Sequence, residues 1–194
     1  MKTIKQLLIT IAVLLCSTTM YAYDFEVDGI YYNILSMDDL TVEVTFKYSE
    51  QIGPYEYIYE SDYIGDIVIP SAVTVQSKTL TVTTIDSYTF YKCTDLTSVI
   101  IPNSIINIED RAFYQCSNLE SAIIGNNVTN IGNEAFYACS NLTDIVIPDN
   151  VTNIGFGAFD ECRSLKNVIL SNRITEIRGA TFRGCNLTNI TIPN

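Results

Sequence analysis

Apolar residues recur along the chain with a period of 23 positions from residue 82 onward. Five successive units carry isoleucine, phenylalanine and cysteine at the same places in each unit. The phenylalanines mark the register without a slip: Phe90, Phe113, Phe136, Phe159 and Phe182. A fixed period of this length is typical of a solenoid, in which each coil buries its apolar side chains only by stacking on its neighbours. The pattern therefore predicts five stacked coils over residues 82–194.

Within each unit, one segment alternates between apolar and polar positions. In the unit that starts at Val128, the residues Leu142, Ile145 and Ile147 follow this alternation, and Pro148 comes directly afterwards. A period of two predicts a short strand with Ile145 and Ile147 on one buried face. Proline suits the exit of a strand because it has no N–H to donate. The AFxxC segment before the strand predicts a compact turn of loosely helical form, with its phenylalanine and cysteine pointing inward.

The repeated pattern IGxxAFxxCxxLxxIxIPxxVTx resembles the BspA-like leucine-rich repeats of bacterial surface proteins. The general form L-x-x-L-x-L-x-x-N is complete in residues 119–127 and 142–150, and its final Asn is missing at Ser104 and Arg173. The resemblance covers residues 82–194. It implies a β-rich solenoid of leucine-rich repeats. It also implies a role in adhesion to host matrix proteins, to host cells or to other bacteria.

Residues 23–81 precede the regular units and predict an N-terminal β-hairpin cap followed by a first, irregular repeat. Asp28-Gly29 is a strong hairpin-turn signal, and residues 66–70 look like the strand of a first repeat. Residues 71–81 predict a further hairpin over the end of the stack, where an end coil needs cover. We see no comparable segment after the last unit. We therefore expect a partner over that end, dimerisation through it, or a longer array.

The first 22 residues have the pattern of a signal peptide. Two lysines precede the apolar run 7–16, and Ala22 is a plausible cleavage point. The run is shorter than the roughly 20 residues that span a bilayer. We therefore expect an exported protein, secreted or at the bacterial cell surface, with no membrane insertion after removal of the peptide. Cys16 leaves a lipoprotein alternative open, although Leu15 stands where a small residue is expected.

The charge of the chain argues against nucleic acid as a partner. It contains 22 acidic and 11 basic side chains, for a net charge of −11. Removal of the predicted signal peptide takes away two lysines and no acidic residue, so the exported chain is more negative still. A negative field of this kind repels nucleic acid and anionic membrane. The resemblance to the BspA-like repeats implies a protein or glycoprotein partner instead.

No pattern of catalytic or metal-binding residues is present. The chain lacks histidine, which removes His-dependent hydrolytic sites, and a rod of short coils has no deep apolar pocket. We therefore predict neither an enzyme nor a cofactor. The segment 24–29 begins like a calcium loop, but Leu35 stands where that loop needs Glu, so a hairpin is favoured. Five Asn-x-Thr triplets are interpreted as part of the repeat pattern rather than as glycosylation sites.

The repeat cysteines lie in one row rather than around a common centre. Metal ligands have to converge, and the parallel side chains of neighbouring coils fit the dihedral angle of a disulfide badly. The sequence therefore predicts buried thiols that pack as small apolar groups. The members of the row are Cys93, Cys116, Cys139, Cys162 and Cys185.

The outward positions of the predicted strands form the candidate partner-binding face. Its polar row contains Ser98, Ser121, Asp144 and Asn167. Its β-branched row contains Ile100, Ile123, Val146 and Ile169. Repeat proteins bind through such surfaces, and contiguous apolar patches mark interaction sites. The alternative is that β-branched residues merely suit strands or pack under a loop, and both interpretations stay open.

Two further points concern function. The tyrosine-rich stretch 54–63 is either a binding loop or an aromatic edge of the first coil. The function that we expect is adhesin-like binding of host or bacterial macromolecules. The alternatives are a structural spacer or truncated array element without a ligand of its own, and a carbohydrate-binding accessory module. The last alternative lacks the usual tryptophan platform, because the chain contains no tryptophan.

Overall fold

The computed structural model describes residues 23–53 and 56–191. The predicted signal peptide and the lipoprotein alternative at Cys16 therefore lie outside the described residues. In the described part, sixteen strands are joined by turns and no residue is helical. The strands are β1 (Phe25–Val27), β2 (Ile30–Ser36), β3 (Thr41–Thr45), β4 (Tyr48–Gly53), β5 (Glu56–Glu60), β6 (Gly65–Val68), β7 (Ala72–Val75), β8 (Lys78–Ile85), β9 (Leu96–Ile100), β10 (Asn107–Ile108), β11 (Ser121–Ile123), β12 (Asn130–Ile131), β13 (Asp144–Val146), β14 (Asn153–Ile154), β15 (Asn167–Ile169) and β16 (Asn189–Thr191).

One long sheet runs along one side of the solenoid in the order β1-β2-β3-β8-β10-β12-β14, with β7 paired to β8. Its repeat strands are parallel and shifted by one 23-residue unit, so that Ile85, Ile108, Ile131 and Ile154 lie side by side. All four isoleucines are buried. The sheet confirms the predicted β-rich solenoid, since the first four regular coils each contribute one strand in the same register as the coil before.

A second set of strands lies on the other side of each coil, at the LxxIxI segments. Here β6, β9 and β11 form one parallel sheet, and β13, β15 and β16 form another. The segment 66–70, predicted to be the strand of a first repeat, overlaps β6, which pairs in parallel with β9. The remaining strands, β4 and β5, form a separate antiparallel ribbon.

The core between the two sets of strands consists of ladders of identical side chains. Phe90, Phe113, Phe136 and Phe159 are fully buried, and consecutive rings stack almost parallel with centroids 4.7, 4.8 and 5.2 Å apart. Phe182 continues the ladder at 5.6 Å but is only half-buried. The last coil described is therefore covered on one side only, and its Ile177 is 50% exposed although the equivalent isoleucines are buried.

The AFxxC segments are turns rather than the loose helical turns predicted from the sequence. Two positions per coil adopt positive φ, as at Tyr88 (63°) and Lys92 (56°). Backbone groups of the turn donate along the stack: the N–H of Phe90 donates to the Ala112 oxygen and that of Lys92 to the Tyr114 oxygen, both at 2.7 Å. A helical turn would direct these groups back into its own segment. Stacking favours the turn form because the backbone N–H groups of each coil can then donate hydrogen bonds to carbonyl oxygens of the next coil.

Both hairpins predicted near the N-terminus are present. Asp28 and Gly29 have φ of 52° and 78° between the antiparallel strands β1 and β2. Gln76 and Ser77 have φ of 49° and 66° between β7 and β8. Paired positive φ values are typical of the tight turns whose twist matches that of the flanking strands. Through β3, which pairs in parallel with β8, the first hairpin extends the long sheet.

Buried tyrosines lie against the first coil. Tyr63 packs on Phe90 at a centroid distance of 4.5 Å and on Tyr31 at 5.6 Å. Its hydroxyl donates to the Thr45 carbonyl at 2.8 Å and accepts the N–H of Tyr31 at 3.0 Å. These bonds satisfy a polar group at a site that is otherwise apolar. They hold the N-terminal strands on the open side of the phenylalanine ladder.

Candidate partner-binding face

The outward side chains of β6, β9, β11, β13, β15 and β16 form two parallel rows, which we call the strand face. The apolar row begins with Val68 and continues through the four predicted residues. These are exposed as the sequence predicted: Ile100 is 41% exposed, Ile123 57%, Val146 57% and Ile169 44%, and Val68 adds 62%. Thr191 ends the row and is also exposed. The strand face therefore presents a line of β-branched side chains to solvent.

Hydrogen bonds order the polar row at both of its carboxylates. The Ser98 hydroxyl donates to Asp66 at 2.6 Å, and Thr97 donates to the same oxygen at 2.8 Å. These bonds hold the pKa of Asp66 below its usual value. The pKa of Asp144 is lowered in the same way, first by the hydroxyl of Thr143 and then by the side-chain amide of Asn167. Both carboxylates are therefore charged at neutral pH.

The polar residues that the sequence predicted lie in two groups along the strand face. Ser98 pairs with Ser121 across β9 and β11, and Asp144 pairs with Asn167 across β13 and β15. Asn189 extends the second group by donating its amide to Asn167 at 2.8 Å. The predicted residues thus share one surface, although their two groups are not joined by strand pairing between β11 and β13.

An apolar groove of about 420 Å³ lies between those two strands. Ala122, Ile123, Ile145, Val146 and Ile169 line it, and Asp144 lies at its edge. Sequence reasoning did not find this groove. The signal available in the sequence was Ala122 itself, which is smaller than the valine or isoleucine at the same position of the neighbouring units.

The turns on another side of the solenoid border a second, more polar groove of about 600 Å³. Lys92, Gln115, Ser140 and Arg163 are among its lining residues, together with Tyr137. Tyr137 ends a row of stacked rings, with Tyr114 at 4.6 Å and Tyr91 a further 5.2 Å away. This tyrosine row was also missed, although its members recur every 23 residues in three units.

The five repeat cysteines are free thiols, and four of them are buried as predicted. Each inner thiol donates to a carbonyl of the coil before it, as Cys139 does to Phe113 at 3.2 Å and Cys162 to Phe136 at 3.0 Å. Burial raises the pKa of Cys93 to about 12. The exception is Cys185, which is half-buried because only one neighbouring coil covers it, and burial raises its pKa to about 11.

The tyrosine-rich stretch contacts the first coil where its side chains are described. Tyr59 stacks on Tyr88 at 4.1 Å with the rings 4° from parallel, and Tyr63 is buried against Phe90. Tyr55 and Tyr57 have side chains outside the described set. The contacts of Tyr59 and Tyr63 are those of an aromatic edge of the first coil.

The described residues contain no cluster of three or more metal-ligating side chains. The part of the chain that the structure describes also contains no helix long and apolar enough to cross a bilayer. Residues 24–29, which begin like a calcium loop, form part of the β1–β2 hairpin. There the Asp24 carboxylate accepts the N–H of Ile34 at 2.8 Å.

The repeats identify the family of the chain. The sequence model of the BspA type leucine rich repeat region matches residues 83–194 in six copies. The chain therefore belongs to the BspA-type leucine-rich repeat family, as its resemblance indicated. No curated protein is detectably similar to it.

Solved structures share the fold. A leucine-rich repeat protein of Bacteroides ovatus is 30% identical with a TM-score of 0.63, over 87% of this chain and 47% of that one. A leucine-rich cell-surface protein of Faecalibacterium prausnitzii is 27% identical with a TM-score of 0.59, over 89% and 48%. The pneumococcal vaccine antigen PcpA is 21% identical with a TM-score of 0.62, over 86% and 49%, which is a likeness of fold alone. The chain spans about half the length of these three proteins.

Proposed function

We propose that this chain is an exported leucine-rich repeat protein of the bacterial surface that binds a host or bacterial macromolecule through its strand face. The observation that carries the proposal is the line of β-branched side chains, 41–62% exposed, beside a polar row with ordered carboxylates. Export follows from the predicted signal peptide of residues 1–22. In this proposal residues 23–81 provide the N-terminal β-hairpin cap and the first, irregular repeat, whose strand β6 begins the strand face, and residues 82–194 provide the five regular repeats.

The exposed apolar row supports binding because its members lie side by side within each of the two sheets of the strand face. Single exposed apolar residues are normal on soluble proteins, whereas connected patches mark interaction sites. Parallel pairing keeps Ile100 beside Ile123 and Val146 beside Ile169. A partner would therefore meet a preformed surface and lose little free energy to ordering it.

The relatives are consistent with this proposal but do not name a partner. The Faecalibacterium prausnitzii protein is described as a cell-surface protein, and PcpA is described as a vaccine antigen. Each of them is about twice as long as this chain.

The experiment is a binding assay of the purified protein against matrix proteins, mucins and polysaccharides at physiological and at high salt. We expect saturable binding to a protein or glycoprotein. Loss of binding at high salt would assign it to charged contacts rather than apolar docking. Changing both Ser121 and Asp144 to lysine should abolish binding without changing the melting temperature. Thr152→Lys, an exposed change beside β14, is the matched control.

The spacer alternative predicts a different result in the same assay. A folded monomer that binds nothing, with or without the lysine changes, would overturn the adhesin proposal in favour of a spacer. A folded dimer that binds nothing would instead assign the strand face or the last coil to self-association. Size-exclusion chromatography of the same sample separates these two outcomes.

Carbohydrate binding is a second candidate, and the groove on the turns is the observation that favours it. Hydroxyl, amide and guanidinium groups there match the hydrogen bonding of sugars, and Tyr137 adds an aromatic ring. Saturable binding to a polysaccharide that survives the double lysine change would assign the ligand to the turns. Arg163→Gln should then weaken it.

A further inference from the structure

The strand face is interrupted at one place, between β11 and β13. Along the rest of the face, neighbouring strands pair in parallel, as β9 does with β11 and β13 with β15. In contrast, β11 and β13 lie close together but belong to different sheets, without strand pairing in the described part of the chain. The 23-residue register is the same on both sides of this seam, so the cause must be local to the residues there.

The first cause is the size of Ala122. It occupies the inward position that Val99, Ile145 and Val168 fill in the neighbouring strands. Those three side chains are 1–2% exposed, whereas Ala122 is half-buried. Alanine lacks the β-branched methyl groups that would fill this position. Space therefore remains beneath the strand where every neighbour is packed.

The second cause is Gly125, directly after β11. A Cβ at this position would lie 2.3 Å from the carbonyl oxygen of Pro102 in the coil before it. Only glycine allows so close an approach of the two backbones. The exit of β11 therefore lies close against the coil of β9, and the groove lies on its other side, toward β13.

The groove at this seam has a defined chemistry. Ile123, Val146 and Ile169 form an apolar rim, and the cavity of about 420 Å³ can receive an aliphatic side chain. The charged carboxylate of Asp144 lies on the same face of β13 as Val146, two residues away. Side chains two residues apart on a strand are about 6.5–7 Å apart. An extended segment of a partner has the same spacing between its own alternate residues.

Resting on the proposed function, we propose that this groove anchors an extended protein segment that inserts an aliphatic side chain and carries a lysine or arginine two residues away, paired with Asp144. Charge complementarity supports this occupant, because the strand face carries Asp66 and Asp144 and the whole chain has a net charge of −11. A sugar lacks the aliphatic group that the groove requires. An acidic segment would be repelled.

The probe is a blocked heptapeptide, Ser-Lys-Ser-Leu-Ser-Lys-Ser, added to the methyl-labelled protein and followed by NMR. We expect saturable shifts at Ala122, Ile145 and Val146. Two matched peptides test the chemistry, one with alanine in place of leucine and one with glutamate in place of both lysines. Each should bind at least tenfold more weakly. Equal binding of either peptide, or the absence of saturable shifts in the groove, would overturn the proposal.

The decisive variant is Ala122→Ile, which gives β11 the side chain that β13 carries as Ile145. It should fill the groove, weaken peptide binding at least tenfold and leave the melting temperature unchanged or raised. Val99→Ile enlarges the same inward row on β9 and is the control, with unchanged binding expected. Undiminished binding to the folded Ala122→Ile protein would show that the groove is not the anchor. A wild-type dimer that this variant converts to a monomer would assign the groove to a second copy instead.

The same variant separates this inference from the proposed function. A macromolecule that is lost with the double lysine change but retained by Ala122→Ile would leave the strand face as the binding surface and overturn the groove as its anchor. Selective peptide binding in the groove, with no binding to any matrix protein, mucin or polysaccharide tested, would support the groove as a peptide site. It would overturn the proposal that these macromolecules are its targets.

Discussion

The stacked phenylalanines are equivalent in sequence but not in burial. Phe136 is fully buried between Phe113 at 4.8 Å and Phe159 at 5.2 Å. Phe182 contacts Phe159 and is half-buried. Because removal of a core side chain costs its transfer free energy and leaves a cavity, the inner ring should matter more.

We expect Phe136→Ala to lower the free energy of unfolding by about 3–5 kcal/mol. Phe182→Ala should lower it by no more than about half as much, because solvent already reaches that ring. Urea denaturation followed by circular dichroism measures both. Equal losses would mean that the last coil described is packed as tightly as the inner ones.

Glu43 on β3 is a partly buried carboxylate whose charged form is disfavoured by its surroundings. Burial raises its pKa from 4.5 to about 7, and the nearby charges of Asp86, Glu109 and Asp24 act in the same direction. The amide of Asn33 donates to it at 3.3 Å and offsets part of this effect. The native protein therefore binds a proton at Glu43 more readily than the unfolded chain does.

The sign of the pH dependence follows from this difference. The contribution of Glu43 to stability is complete below pH 4.5 and is lost as the pH rises through about 7. Glu43→Gln should therefore raise the free energy of unfolding at pH 8 by about 1–2 kcal/mol, less than the full shift implies because water screens part of the charge. At pH 4.5 it should change little. Thermal melts at both pH values test this, with Glu120→Gln at an exposed site as the control.

At the scale of the element, coils are held together by backbone contacts as well as by side chains. A Cβ at Gly155 would lie 2.4 Å from the N atom of Asn133, and one at Gly132 would lie 2.6 Å from the N atom of Asp110. Each glycine directly precedes a turn and lies against the backbone of the preceding coil. Their small size sets the distance between neighbouring coils there.

Gly155→Ala should therefore destabilise the protein by about 1–3 kcal/mol, the usual range for overpacking a tight site. The control is Gly29→Ala, which meets no atom within 4 Å but has a φ of 78°. Gly29→Ala should lower the free energy of unfolding by less, and that decrease measures the cost of backbone strain alone. Chemical denaturation compares the two. A loss at Gly155 no larger than at Gly29 would mean that the coils can move apart at little cost.

The elements themselves were largely predictable. The two-residue alternation predicted the strands at the LxxIxI segments, and the dipeptide Asp28-Gly29 predicted a hairpin that is present. The prediction of a loose helical turn at the AFxxC segments was wrong. Non-glycine residues occupy the positive-φ positions Tyr88 and Lys92, and glycine stands at the equivalent positions only in later units, at Gly157 and Gly184. Contacts with the next coil stabilise the conformation, and such contacts are not local in sequence.

The candidate site was predictable only in part. The strand period alone places Ile123 and Val146 on the outward face, and both are exposed. We attribute the seam between β11 and β13 to the small size of Ala122 and to the close approach of Gly125 to the coil before it. The alternation of apolar and polar residues does not distinguish Ala122 from the valine or isoleucine at the same inward position of the other strands. The groove therefore appears only when packing is considered.

At the scale of the whole molecule, stability is that of a stack in which each coil contacts only its neighbours. Such proteins open from their least covered coil, because that coil has the fewest interfaces to lose. In the described residues, the coil of Phe182 and Cys185 is the least covered of the repeats. The cysteine row provides one reporter in each coil.

We therefore expect four of the repeat thiols, from Cys185 inward to Cys116, to react in an order set by their distance from the least covered coil. In the native protein at pH 8, iodoacetamide should modify Cys185 first, Cys162 later, and Cys116 and Cys139 at least tenfold more slowly, because thiolate and access are both required. Peptide mapping by mass spectrometry at successive times measures the order. A common rate for all four would mean that labelling requires unfolding of the whole stack.

Inward positions that are the same from coil to coil also bear on how such a protein can change over generations. Insertion or deletion of one 23-residue unit joins Phe to Phe and Cys to Cys across the new junction, so the number of coils can vary by recombination between repeats without new core contacts. The outward residues of the strands take no part in those ladders. Length and surface chemistry can thus be altered in separate genetic steps, and an unusual coil such as that of Ala122 can arise in one copy while its neighbours preserve the fold.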